Sequence, residues 1–123
     1  MKTVIVVLSD PNGGDEALGR LFNALAAAYD MKTRKEEVRL LFQGAGTRWA
    51  GLLCAADHPA HAVYDAVEDT VDGVSQGCAD FFGGRASAEQ NGFDLISTNA
   101  VPGTSGLPSL AKYVADGYSV ITF

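Results

Sequence analysis

The sequence has no apolar run near the ~20 residues a bilayer-spanning helix needs, so no membrane segment is expected. A signal peptide is not expected either. The opening Lys2-Thr3-Val4-Ile5-Val6-Val7-Leu8 has a single positive charge and no small-residue cleavage site, and it runs straight into the turn residues Ser9-Asp10-Pro11-Asn12-Gly13. Cysteine is scarce: Cys54 and Cys78 are the only two, which excludes a disulfide framework and fits a reducing compartment, so a cytoplasmic location is expected. Without a CxxC pair there is neither a thioredoxin-type redox motif nor a zinc knuckle. Basic residues are few, 9 Lys and Arg against 15 Asp and Glu, for a net charge of −6. That balance argues against nucleic acid or an anionic membrane as the main partner. The loop Ser9 to Gly14 lacks GxGxxG, a Lys-Ser/Thr pair and the hydroxyl-rich phosphate loop of flavodoxins. It reads as a turn with a helix cap, and no nucleotide or flavin cofactor is expected.

What is present is enough for one domain over residues 1–123. Hydrophobic residues make up 47% of the chain, so a core forms without disulfide or metal staples. Thr3 to Leu8 is a nearly continuous β-branched run, the pattern of a strand buried on both faces. Asp15 and Glu16 suit the first turn of a helix, where they complement the positive end of its dipole. Leu18, Leu21, Phe22, Leu25 and Tyr29 then recur at helical spacing. Glu37 to Phe42 is a second strand, and Trp49, Leu52 and Leu53 mark a short helix ending near Asp57.

A further helix is expected from Asp57 or His58, with Pro59 in its first turn and Ala60, Val63, Tyr64, Val67 and Val71 as its buried stripe. Gly73 would end it, leaving Val74 to Gly77 as a short third strand. Cys78 to Phe82 starts another helix, Phe93 to Ser97 is a fourth strand, Ser105 to Asp116 a helix and Tyr118 to Phe123 the last strand. Apolar strands separated by helices imply an α/β fold with a parallel sheet and helices on both faces. Ligands of such sheets bind outside the carboxyl ends of the strands. That edge would collect Ser9–Gly14, Gln43–Trp49, Gln76–Cys78 and Ser97–Gly106, all rich in Gly, Ser, Thr, Asn or Asp.

Cys78 stands out on that edge, because a thiol at a helix N-terminus is favoured to ionise and Gly77 lets the chain turn tightly before it. Asp80 would oppose ionisation if its carboxylate faced the sulfur. The plainer reading is a small buried hydrophobe, which free cysteine often is. Cys54 reads as core. Cys78 with Arg85 does not match a phosphatase loop: the arginine falls seven positions later and Gly83-Gly84 intervene, whereas a phosphate cradle needs tight spacing. His58 and His61 share a helical face near Asp57 and Asp65, a weak metal-binding pattern set against a capping role, and no metal site is assigned. Trp49 lines a pocket or subunit interface, or is core; Tyr113, Tyr118 and Phe123 read as packing residues.

The βα alternation, Cys78 just after the third strand, and the ending Leu110-Ala111-Lys112-Tyr113-Val114-Ala115-Asp116-Gly117-Tyr118-Ser119-Val120-Ile121-Thr122-Phe123 resemble the DsrE/DsrF-like (YchN-like) family. Phe42-Gln43-Gly44-Ala45-Gly46-Thr47-Arg48-Trp49 and the pairs Cys78-Ala79 and Phe82-Gly83 are similar to an uncharacterised branch of it. The resemblance implies a three-layer α/β/α sandwich on a five-stranded parallel sheet, assembled as a homo-oligomer, a trimer or hexamer. It also implies sulfur relay, in which the cysteine after the third strand carries a persulfide between a sulfur donor and an acceptor protein. By position that cysteine is Cys78, and the expected pocket around it is made by Asp10, Asn12, Gly46, Trp49, Gly77 and Ser97. The residues after the cysteine, Ala79-Asp80-Phe81-Phe82, motivate a second expectation: a non-catalytic oligomeric module that binds a small ligand or partner protein at the same edge.

Overall fold

The computed structural model describes residues 1–123. Strand β1 (Lys2–Val7) is followed by helix α1 (Gly14–Thr33), β2 (Glu37–Phe42), α2 (Trp49–Leu53), α3 (His61–Val67), β3 (Val71–Ser75), α4 (Gln76–Phe82), α5 (Arg85–Gln90), β4 (Leu95–Ile96), α6 (Leu110–Ala115) and β5 (Ser119–Thr122). Single 3₁₀ turns precede α2 (Gly44–Arg48) and β3 (Glu68–Thr70). All five strands are parallel, in the order β4-β3-β2-β1-β5. The parallel sheet is the one the alternation implies, and its five strands in an α/β sandwich are what the resemblance implies.

The strand order explains an unequal pair of outer layers. From β1 to β4 each step moves the same way across the sheet, and right-handed crossovers then put the intervening helices on one face. The final crossover runs back past β3, β2 and β1 and carries α6 to the other face. Side chains agree. Ile5, Val7, Leu40, Phe42 and Val74 pack with α1 to α5 in a core of 18 buried residues, while the opposite face buries only Val4, Val6 and Leu41, beneath Leu110, Tyr113 and Tyr118. No residue of α6 is fully buried.

Five sequence expectations need correction. Helix α1 seats on the sheet through Ala17, Leu21, Ala24, Leu25 and Ala28, whereas Phe22 and Tyr29 are 47% and 49% exposed. The alanines let the helix axis approach closely, and Phe22 and Tyr29, seven apart, lie together on its flank. The helix expected from Asp57 to Val71 covers only His61–Val67. Thr70 Oγ1 closes its end on the Val67 carbonyl at 2.6 Å, and Val71 opens β3 instead.

Gly73 therefore sits inside a strand rather than after a helix. The register against β2 shifts there, and a Cβ at Gly73 would lie 2.4 Å from the Asp94 carbonyl oxygen of the next connection, so only glycine permits the approach. The segment before α6 is also shorter in helix than expected. Residues 97–109 form a loop, closed on itself by the antiparallel bridge between Asn99 and Leu107, and α6 begins only where Ser109 Oγ accepts the Lys112 N–H. β4, expected over Phe93 to Ser97, keeps just Leu95–Ile96, and Phe93 turns into the core against Phe42 and Tyr64.

Candidate functional site

The carboxyl edge is assembled around the passage from β3 to α4. Ser75 ends β3 fully buried, and its Oγ accepts the Cys78 N–H at 3.3 Å, an N-cap that satisfies one of the free donors of the first turn. Gly77 is buried beneath the loop after β4. Its N–H donates to the Gly106 carbonyl at 2.7 Å, and a Cβ there would meet Leu107 Cδ1 at 2.8 Å and Gly106 O at 2.9 Å. Gln76 adds a bond from Nε2 to the Ser105 carbonyl. Cys78, the third residue of α4, is half-buried between these two fixed points.

Phe82 stands four residues after Cys78 and so on the same helical face. Over it lies a residue the sequence reading did not single out. Arg48, from the 3₁₀ turn after β2, donates through Nε to the Phe82 carbonyl at 2.9 Å, and its guanidinium carbon is 5.5 Å from the centroid of the Phe82 ring. Its Nη1 reaches both carboxylate oxygens of Asp10 at 3.3 Å. The N–H of Asn12 holds Asp10 Oδ1 at 3.0 Å. This backbone bond, with Arg48 adding to it, keeps the Asp10 carboxyl below the ordinary range.

Gly46 and Trp49 lock the same turn to the end of β1. A Cβ at Gly46 would fall 2.3 Å from the Val7 carbonyl oxygen. Trp49, only 2% exposed, donates Nε1–H to the Ser9 carbonyl at 2.8 Å, with His58 edge-on to its ring. Its ring is core and supports the loop from below. Ser97 is exposed and touches Gly106, where a Cβ would sit 2.7 Å from that of Ser97. The fold thus places Asp10 and Asn12 on the Arg48 side of α4, and Ser97, through Gly106, on the Gly77 side.

Asp80 turns its carboxylate to Ser105 Oγ, at 2.5 Å, and to Arg85 Nη1, at 3.1 and 3.2 Å. The Ser105 hydroxyl first, then Arg85, hold its carboxyl below the ordinary range. Arg85 also binds Glu89, so it is committed to two carboxylates on α4 and α5 and forms no cradle over Cys78. Beside this network a shallow hollow of about 550 Å³ is lined by Gly77, Asp80, Phe81, Gly103, Thr104 and Ser105, and Phe81 is 83% exposed at its rim.

Other candidates lie elsewhere. Cys54, expected in the core, is exposed at the end of α2, its Sγ 3.4 Å from the Ala50 carbonyl. Partial burial, with the charge of Glu68, raises its thiol above the usual value. His58 Nδ1 accepts the Ala60 N–H and His61 Nδ1 bonds the Leu53 carbonyl, so both imidazoles have local structural partners. No three His, Cys, Asp or Glu side chains converge in a metal-binding arrangement, and no helix is long and apolar enough to cross a membrane.

Arg48 was missed because nothing local marks it: its partners are 34 and 38 residues away in sequence. The available signal was a cation two residues after Gly44-Ala45-Gly46, in a turn at the carboxyl edge of the sheet.

An uncharacterized protein of Methanocaldococcus jannaschii is 25% identical over 121 residues, covering 98% of this chain and 94% of that protein. A conserved protein of unknown function from Bacteroides thetaiotaomicron shares the fold with a TM-score of 0.59 at 14% identity, over 98% of this chain and 94% of the other. The profile of the DsrE/DsrF-like family matches residues 1–123, and the chain belongs to that family.

Proposed function

We propose that the protein is a sulfur-relay protein in which Cys78 carries a persulfide. The observation that carries this reading is the position of Cys78: third residue of α4, directly after the third strand, with its backbone pinned by Ser75 and its side chain half-buried at the carboxyl edge of the sheet, where ligands of such sheets bind. The chemistry is thiol exchange on a sulfane sulfur. The Cys78 thiolate attacks the outer sulfur of a donor R–S–SH, a new S–S bond forms, the donor's S–S bond breaks and its electron pair leaves with R–S⁻. The product is Cys78–S–SH, and no external oxidant or reductant is needed. An acceptor thiol then removes the outer sulfur in the same way.

Intact-protein mass spectrometry after incubation with inorganic polysulfide tests this. Gain of one sulfur atom, lost in Cys78→Ser and reversed by dithiothreitol, is the expected result. An adduct that persists in Cys78→Ser would sink the assignment.

A second reading, a non-catalytic oligomeric module that binds a small ligand or partner protein at this edge, draws support from Phe81. Interfaces favour aromatic residues of this kind. It predicts slow alkylation of Cys78 and no sulfur uptake. Under either reading we propose a homo-oligomer, trimer or hexamer. The thin cover over β5, where Ile121 is exposed, supports it, and sedimentation velocity tests it.

A further inference from the structure

A relay of this kind faces an electrostatic problem. The attacking sulfur on Cys78 is anionic, sulfane-sulfur donors such as polysulfide are anionic, and the chain carries a net charge of −6. A field of that sign lowers the local concentration of an anionic donor unless a cation is built into the site. We infer that Arg48 is that cation: the anion-recognising residue of the Cys78 site, whose ligand is an anionic sulfane-sulfur donor. The inference rests on the sulfur-relay reading for the identity of the ligand and on the geometry of Arg48 for the charge.

Three features single out Arg48. It covers the Phe82 side of α4, and Phe82 and Cys78 are one helical turn apart on one face, a spacing of roughly 5–6 Å between their Cβ atoms. Two of its nitrogens are engaged, Nε with the Phe82 carbonyl at 2.9 Å and Nη1 with Asp10 at 3.3 Å to each oxygen, while Nη2 makes no hydrogen bond within the protein. With Nη2 unpartnered, the fork retains a donor for another anion. The basic residue on the other side of α4, Arg85, is instead bound to both Asp80 and Glu89.

Gln43, which opens the turn carrying Arg48, is 7% exposed, and its Oε1 is buried without a hydrogen-bond partner. It lies one residue beyond Phe42, whose partner in β3 is Val74, and so beside Ser75, which caps Cys78. Buried amide oxygens are nearly always paired, and this one, an acceptor, is complementary to a donor and not to an anion. Asp10 tempers the cation, so the two residues have opposite expected effects.

The test compares alkylation of Cys78 by iodoacetate, an anion, with alkylation by iodoacetamide, its neutral counterpart. Both consume the same thiolate, so their rate ratio reports local charge and is insensitive to how much thiolate is present. Cys54, at the end of α2, is read in the same digest as the internal reference. One charge at this range alters the ratio by about two- to threefold. Arg48→Met is expected to lower the Cys78 ratio by about that factor and Asp10→Asn to raise it. Raising the salt from about 0.05 M to 1 M is expected to compress both differences between variant and wild type, while at each salt concentration the Cys54 ratio is the same in every variant. Arg48→Lys, which keeps the charge, is expected to restore most of the ratio.

A ratio that stays at the wild-type value in Arg48→Met and Asp10→Asn overturns the assignment, even if Cys78 takes up sulfur. Shifted ratios with no sulfur uptake from polysulfide overturn the relay reading and leave Arg48 as an anion-recognising residue. A ratio that falls in both variants, or a Cys54 ratio that moves with them, marks a structural disturbance and also overturns it.

Discussion

The Nε–H of Arg48 is 2.9 Å from the carbonyl oxygen of Phe82, so the turn after β2 holds the last residue of the helix that begins beside Cys78. Two segments distant in sequence are joined there. The consequences of that joining, and of the packing around it, are measurable.

Ser75→Ala removes the N-cap of α4. The hydroxyl accepts the Cys78 N–H, and loss of such a cap costs about 1 kcal/mol. Urea denaturation is expected to show that loss, with alkylation of Cys78 altered and that of Cys54 unaffected.

Gly46 and Gly19 should respond in opposite directions to alanine. A methyl at Gly46 would collide with the Val7 backbone at 2.3 Å, so Gly46→Ala is expected to cost at least ~2 kcal/mol. Gly19 lies in the middle of α1 with nothing within 4 Å of its Cβ direction, and Gly19→Ala is expected to add roughly 0.5–1 kcal/mol. Thermal denaturation of the two variants checks both signs together.

Gln43→Met tests whether the unpaired amide oxygen is a structural cost. Removing a buried, unsatisfied acceptor while keeping the volume is expected to stabilise the fold by about 1 kcal/mol. A melting temperature below wild type would show that Gln43 is held by partners in solution.

Asp80 contributes to the acid side of the stability profile. Its native carboxyl titrates below the ordinary 3.8, so its contribution is present above that value and disappears as pH falls through the lower native one. Asp80→Asn is therefore expected to flatten the loss of stability below about pH 4 while leaving the slope between pH 6 and 8 unchanged. Chemical denaturation at stepped pH measures this; an unchanged acid limb would refute it.

Much of the fold was legible from residue patterns. Glu37 to Phe42 is the second strand at both ends, because Val38, Leu40, Leu41 and Phe42 form a buried run bounded by turn residues. The pattern misled where two elements abut without a breaker. Val67 to Val71 continues a helical stripe in sequence, yet β3 begins at Val71, since pairing with Leu40 outweighs one more helical turn. Phe22 and Tyr29 misled for another reason: periodicity gives the angle of a stripe, but small residues such as Ala24 and Ala28 choose which edge of it meets the sheet. At the site, Cys78, Gly77 and Gly46 announce themselves by residue type. Arg48 does not, because an arginine acquires a role only from what it reaches.

The sequence by itself determined that the strands are buried and separated by helices, because apolar period and turn chemistry are local and survive without knowledge of neighbours. It also placed the Cys78 thiol at a strand-to-helix junction. Only the tertiary structure decided the strand order, the thin layer over β5, and the meeting of Asp10, Arg48 and Phe82 beside α4. Those depend on contacts between residues far apart in the chain, where packing energy and close backbone approach, rather than local preference, select one arrangement.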